Sequence, residues 1–333
     1  MAALAISGVS AEEVTFPNAA DDLTLAGEFV LPDGAGPHPA VILLSGSGAH
    51  NRDSQIGQHR PFARIAKAFA AAGLATLRYD DRGVGGSSGA NTASLSDDAR
   101  DAEAALDFLC TRAEVDPHRI GFLGHSAGAL AAARVSNRRP GMAFTVLFAG
   151  AAVPGDTLLH VQIAAGMRAQ GFSDGEIATN DERITALIAA ARRGGDAVHD
   201  MVDRLAAESG ASDEWKEQHA AMFGHPWLLD FINYDPVPAI SALSMPTLAL
   251  FGSTDTIVPV DGNMEQMRRA LESNSDAEID VLEGHNHFFQ NASPVVPYTE
   301  AGLMPTDRTL GTLVNWITQV GPSGRSPCRE AVQ

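Results

Sequence analysis

Hydrophobic and polar positions along this chain follow two alternating periods. Val41-Ile-Leu-Leu44 is a short unbroken apolar run, the pattern of a strand buried on both faces. Residues 24–31 and the stretch before them suggest an opening hairpin. In Pro61–Ala72 the apolar positions Phe62, Ile65, Ala66 and Phe69 recur at helical spacing, and Gly73 stops the run. Further strands are expected at 74–79, 119–123, 144–148, 247–251 and 278–282, with helices at about 127–137 and 310–320 between and after them. Ser96 followed by Asp97 and Asp98 reads as an N-cap with an acidic first turn, opening a helix that runs to about Ala113. Strands alternating with helices predict an α/β fold: a mostly parallel sheet covered by helices on both faces.

The pattern changes between Gly155 and Ile240. No strand signal appears there, and glycines at 171, 175, 194, 195 and 210 break an Ala-, Asp-, Glu- and Arg-rich segment into short helices. Pro236 and Pro238 mark its exit. The expected organisation is a catalytic core of residues 14–152 and 241–320, interrupted by a helical cap of residues 153–240 and followed by a polar, disordered tail at 321–333. An insertion between late strands suits a lid, because ligands of open α/β sheets bind outside the strands' C-terminal ends.

Composition narrows this picture. The 333 residues suffice for one large domain with an insertion. Aromatics are only 6% of the chain, so Ala, Leu, Val and Ile must build most of the core. A net charge of −18 repels phosphate backbones and argues against a nucleic-acid partner. The two cysteines, Cys110 and Cys328, are too few for a disulfide scaffold and lack metal-ligand spacing. Cys110 is expected as a buried thiol and Cys328 as an exposed one. No apolar run is long enough to span a bilayer. The N-terminal Met1–Ala11 ends in Val9-Ser-Ala11 but lacks a positive n-region. A cytoplasmic location is favoured, with the periplasm or secretion as the alternative if this stretch is a truncated signal. Oligomeric state, monomer or homodimer, is left open.

The strongest chemical signal is Gly124-His125-Ser126-Ala127-Gly128, a G-x-S-x-G set between an expected strand and an expected helix. That setting is what a nucleophile elbow requires. The bland alternative is a glycine-rich turn with a solvated serine. A serine hydroxyl needs a base held by a third group, in the chain order Ser, Asp or Glu, His. Asp255 follows the strand at 247–251 directly, whereas Asp230, Asp235 and Asp261 do not; its bland alternative is a turn cap. Glu283-Gly-His285-Asn-His287 follows the last strand and offers two candidate bases, and spacing alone does not choose between them. A metal reading of the His-x-His pair lacks further ligands nearby. Backbone donors for an oxyanion are expected from Ala127 and from Ser47 in the Ser45-Gly-Ser-Gly48 loop. Arg78-Tyr-Asp80-Asp-Arg82-Gly-Val-Gly85-Gly-Ser87 does not match a dinucleotide fingerprint. It reads instead as a loop shaped by Asp–Arg contacts. His125 and residues 155–240 are the expected substrate-binding elements.

Together these residues resemble the α/β-hydrolase superfamily over most of 14–152 and 240–320. Gly124–Gly128 is similar to its elbow, and Asp80–Ser87 to its D-x-R-G-x-G-x-S signature. Gly252-Ser-Thr-Asp255 resembles its acid loop. Gly284-His-Asn-His287-Phe288 resembles its G-x-x-H-x-F, and this resemblance selects His287 over His285. Ser45–Asp53 further resembles the G-S-G-x-x-x-R-D loop of a bacterial esterase branch related to serine-aminopeptidase-like hydrolases. That branch usually carries His or another small residue where Ser45 stands.

The resemblance implies a carboxylesterase acting on small-molecule esters through Ser126, Asp255 and His287, with no metal or organic cofactor. Thioesterase, amidase or peptidase, and lactonase readings keep the same triad. A non-catalytic α/β-hydrolase-fold binding protein is the reading from another class.

Overall fold

The computed structural model describes residues 10–90, 94–293 and 296–328. Most of the expected Met1–Ala11 signal remnant therefore lies outside the described residues. Strands β1 (Ser10–Asn18) and β2 (Leu23–Leu31) form the opening hairpin. They are followed by β3 (His38–Leu44), β4 (Ala75–Tyr79), β5 (Val115–His125), β6 (Phe144–Phe148), β7 (Thr247–Gly252) and β8 (Ala277–Leu282). Among the described residues these make one eight-stranded sheet of order β1-β2-β4-β3-β5-β6-β7-β8. The hairpin and its join to β4 are antiparallel, and every pairing from β4 through β8 is parallel. The fold is thus the mostly parallel α/β sheet that the periodicity predicts.

Helices α1 (Pro61–Ala71), α2 (Leu95–Leu109) and α3 (Ala127–Arg138) connect the first parallel strands. Between β6 and β7 lie α4 (Gly155–Ala169), α5 (Asp174–Ala191), α6 (Gly195–Ser209), α7 (Asp213–Phe223), α8 (Pro226–Ile232) and α9 (Val237–Ser241). Then come α10 (Val260–Ala270), kinked at Asp261 and Gly262, and α11 (Asp307–Gln319). Alternation along β3 shows how the sheet divides the core. Val41 and Leu43 pack with Phe62, Phe69 and Leu313 on one side, while Ile42 and Leu44 join Leu106, Phe122 and Leu130 on the other. Both faces of the strand are dry, which explains its unbroken apolar run.

Three expectations change. First, α2 is capped by Ser94 and not Ser96: Asp97 lies three residues after Ser94, and each side chain bonds the other's backbone N–H at 3.2 and 2.6 Å. Its last residue is Leu109, and the segment expected to continue it instead turns into β5. Second, neither cysteine is a free thiol. Cys110, at the C-cap of α2, is bonded to Cys328 across 218 residues of sequence. Third, the expected loose tail is packed as far as Cys328. The Arg139 guanidinium donates to the Pro327 carbonyl at 3.0 and 3.1 Å, and Ser323 donates to the His118 carbonyl at 2.7 Å. Residues 329–333 lie outside the described residues.

Candidate active site

β5 ends at His125 and α3 begins at Ala127, which leaves Ser126 to make the whole reversal. Its φ of 55° and ψ of −119° lie where a side chain is strained. Two backbone bonds hold it there. The Ser126 N–H donates to the Phe148 carbonyl at 2.8 Å, and its carbonyl accepts from the Ala129 N–H at 3.0 Å. The flanking glycines are demanded by packing. A Cβ at Gly124 would stand 2.2 Å from the Gly128 carbonyl oxygen, and one at Gly128 would stand 2.4 Å from that of Ser45. The small residues of the signature therefore let strand, helix and the Ser45 loop meet at one point.

Asp255 follows β7 and His287 follows β8, and the parallel pairing of these strands brings both loops to the same sheet edge. The His287 Nδ1–H donates to Asp255 Oδ2 at 2.8 Å. Asp255 Oδ1 accepts from the N–H groups of Ile257 and Val258 at 2.7 and 2.9 Å, so the carboxylate cannot swing away. Both side chains are buried. With Nδ1 donating to Asp255, Nε2 is the nitrogen left to accept a proton.

The neighbouring His285 is committed elsewhere. Its Nδ1–H donates to the Glu283 carbonyl at 2.9 Å, and its Nε2 meets Thr306 Oγ1 at 2.8 Å. Thr306 in turn caps α11 by accepting from the Thr309 N–H. His285 thus ties the last strand to the last helix, and its contacts separate the two histidines that spacing leaves equivalent. Asn286, between them, folds the loop by accepting from the Phe288 and Gln290 N–H groups.

His125, expected at the substrate, is the last residue of β5, directly before Ser126, and is buried. Its Nε2–H donates to the His287 carbonyl at 2.9 Å, and its ring packs 4.7 Å from that of His287. Burial, reinforced by the neighbouring His287 ring, holds its pKa well below the ordinary histidine value. It therefore stays neutral and joins the elbow to the His287 loop. No direct Ser126–His287 hydrogen bond forms among the described residues, and this His125 link is what connects the two loops.

Asp80 and Asp81 shape the loop from Ser45 to Arg52. Asp80 binds the Arg52 guanidinium with both oxygens, at 3.2 and 2.9 Å, and accepts from the Arg52 N–H at 2.8 Å. Asp81 accepts from Ser45 Oγ at 2.6 Å and from the His50 N–H at 2.8 Å, bracketing Ser47 from both sides. Burial pushes the Asp81 carboxyl up to about 6, against the opposing hydrogen bond from Ser45. Arg82 turns the other way, to Asp101 and Asp21. The bracketing role of Asp81 was not anticipated; the adjacent loop motif is its one trace in the sequence.

A cavity of about 80 Å³ adjoins Ser126. Ser47, Ala127, Leu130, Ala151, Ile257 and Val258 line it from the sheet side. Leu158 and Gln162 of α4, with Trp227, Leu228 and Phe231 of α8, line it from the inserted helices. Among the described residues no helix is long and apolar enough to cross a membrane, and no group of three or more His, Cys, Asp or Glu is arranged to hold a metal ion.

The sheet order and the strand–Ser–helix elbow define the α/β-hydrolase class of fold. Residues 39–292 match the family model described as alpha/beta hydrolase fold, and the chain belongs to that family. It is 25% identical over 301 residues to Esterase EstD of Thermotoga maritima, covering 89% of this chain and 66% of that protein. A 120-residue stretch is 33% identical to an uncharacterized protein of Mycobacterium tuberculosis, covering 36% of this chain and 39% of the relative. The chain thus spans just under two thirds of the esterase and well under half of the mycobacterial protein. In structure it resembles an esterase of Pyrococcus furiosus, with a TM-score of 0.60 at 16% identity over 94% of this chain and 91% of the other.

Proposed function

We propose that this protein is a serine esterase that cleaves small carboxylic esters through an acyl-enzyme. The observation that carries the reading is the buried His287, bonded through Nδ1 to an anchored Asp255 and coupled by His125 to the strained Ser126. In this mechanism His287 Nε2 takes the Ser126 proton as Oγ attacks the ester carbonyl. The oxyanion is held by the N–H groups of Ala127 and Ser47, each worth roughly 3–4 kcal/mol of barrier in comparable sites. The tetrahedral intermediate collapses, and His287 returns the proton to the departing alkoxide. Water, deprotonated by the same nitrogen, then releases the acid and restores Ser126. Similarity to Esterase EstD of Thermotoga maritima supports an ester rather than an amide bond.

In this reading residues 153–240 are a cap on a core of residues 14–152 and 241–320. Support comes from the α4 and α8 side chains that face Ser126 across the cavity. The Cys110–Cys328 bridge supports a periplasmic or secreted site of action over a cytoplasmic one, because disulfides persist in oxidising compartments.

The test is hydrolysis of p-nitrophenyl acetate to palmitate by wild type and Ser126→Ala. Wild-type turnover that Ser126→Ala reduces by three orders of magnitude or more is the expected result. Equal turnover by both proteins, or none by wild type, overturns the reading.

A further inference from the structure

Helix α8 carries Trp227 onto the cavity beside Ser126, stacked on Phe231 with ring centroids 5.1 Å apart and planes 14° from parallel. Its indole N–H does not point into solvent. It donates to Asp98 Oδ2 on α2 at 3.4 Å, a contact between residues 129 positions apart. A second tie lies three residues further along α8 and two residues back along α2, where the Ser96 N–H donates to Asp230 Oδ2 at 3.3 Å. Ser96 is itself held, its Oγ accepting from Arg134 of α3 at 2.9 Å. The short helix α8 is thereby pinned to α2 at two points.

The space beside Ser126 is small. A cavity of about 150 Å³ admits a six-carbon benzene ring, whereas this one measures about 80 Å³. In proportion it holds roughly three or four non-hydrogen atoms. Its lining is apolar apart from Ser47, Ser126 and Gln162, so the matching group is a short hydrocarbon chain.

We propose that Trp227, positioned by Asp98, limits the acyl group this site accepts to about four carbons. The inference rests on the ester-hydrolase reading for its substrate and on the cavity geometry for its limit. Trp227 acts by touching the acyl chain, and Asp98 acts through Trp227 as a positioning residue. An unpinned indole can rotate off the cavity, whereas a pinned one cannot.

The experiment compares kcat/KM for p-nitrophenyl butyrate and octanoate in wild type, Trp227→Ala, Asp98→Ala and Asp98→Asn. Wild type should favour butyrate at least tenfold. Trp227→Ala should erase or reverse that preference, chiefly through KM for octanoate. Asp98→Ala should shift the ratio several-fold in the same direction. Asp98→Asn retains a side-chain carbonyl acceptor and should keep the wild-type ratio, a rescue that general destabilisation would not give. A wild type that takes octanoate as readily as butyrate overturns the proposal, as does an unchanged ratio in Trp227→Ala. Should Trp227→Ala not fold, the Asp98 pair decides: equal ratios in Ala and Asn variants overturn the positioning role. The same two esters are also titrated onto Ser126→Ala with and without Trp227→Ala, followed by calorimetry. Octanoate binding gained only on removing Trp227 upholds the limit even if wild type hydrolyses neither ester, in which case only the catalytic reading falls. Octanoate binding equally well with Trp227 present overturns the limit whatever the turnover.

Discussion

The ring of His125 donates from Nε2 to the backbone carbonyl of His287, 2.9 Å away. The Ser126 turn and the His287 loop are thereby held in register by a group outside the proposed triad. Because burial keeps His125 neutral, this strut does not change with pH near neutrality. His125→Ala is expected to lower ester kcat by about 10–100-fold, the cost of a misplaced base, with a smaller change in KM. Steady-state kinetics on p-nitrophenyl butyrate checks this, and an unaltered kcat would remove the strut from the mechanism.

The two loop histidines should separate cleanly. His287→Ala is expected to lose about 10⁴-fold or more in turnover, as removal of a triad base does. His285→Ala breaks the contacts to Glu283 and Thr306, costing about 1–3 kcal/mol of stability while leaving kcat within tenfold. Thermal unfolding and kinetics on both variants read the two effects independently. Inactivity of His285→Ala alone would reverse the assignment.

In the proposed mechanism Asp255 acts through the tautomer it selects. An amide at 255 can present its NH₂ to His287 and turn the ring's proton to Nε2, where it cannot serve as a base. Asp255→Asn should therefore fold and bind substrate, yet lose about 10⁴-fold in kcat, by analogy with the same change in a serine protease. Steady-state kinetics on both proteins is the check, and a kcat within tenfold of wild type contradicts it.

Asp98 offers a stability test of the α2–α8 junction. Burial, then the neighbouring Asp81 and Asp101, pushes its carboxyl up to about 7, while Trp227 and Arg82 oppose. The folded state therefore holds this proton more tightly than the unfolded chain does. Stability from this group is complete below the unfolded carboxyl range, near pH 4, and is lost as pH rises through about 7. Asp98→Asn removes the buried charge without removing the acceptor. It should be nearly neutral at pH 4 and stabilising at pH 8 by on the order of 1–2 kcal/mol, a value reduced for partial exposure. Denaturant melts at both pH values measure it, and a pH-independent effect contradicts it.

Reduction or Cys328→Ser should lower the unfolding temperature. The bridge closes a sequence separation of 218 residues, and such links contribute about 2–4 kcal/mol by restricting the unfolded chain. It lies at the end of α2 away from Ser126, so kcat/KM for short esters should stay within twofold. Calorimetry with and without reductant decides the first point, and the same samples decide the second.

Local chemistry was legible in the sequence; long-range chemistry was not. Gly124–Gly128 announces its own turn because three backbones converge there, and β3 announces its burial because both faces are apolar. The choice of N-cap failed by two residues, since Ser94 and Ser96 both stand within three residues of Asp97 and only the reciprocal bond with Asp97 distinguishes them. His285 and His287 looked alike because their partners, Thr306 and Asp255, lie 21 and 32 positions away. Cys110 and Cys328 read as unrelated thiols for the same reason. The six helices between β6 and β7 could be foreseen as helical from their composition, but not that Trp227 would reach back to Asp98.

The bridge has one more consequence. It makes residues 110–328 a covalent ring that includes every inserted helix and the loops bearing Ser126, Asp255 and His287. The turn between α5 and α6 exposes Arg192 and Arg193 to solvent. A trypsin-like cut there opens the ring without releasing a fragment. Nicked protein should run as a single species in denaturing gels and fall into two pieces only after the sulfurs are reduced.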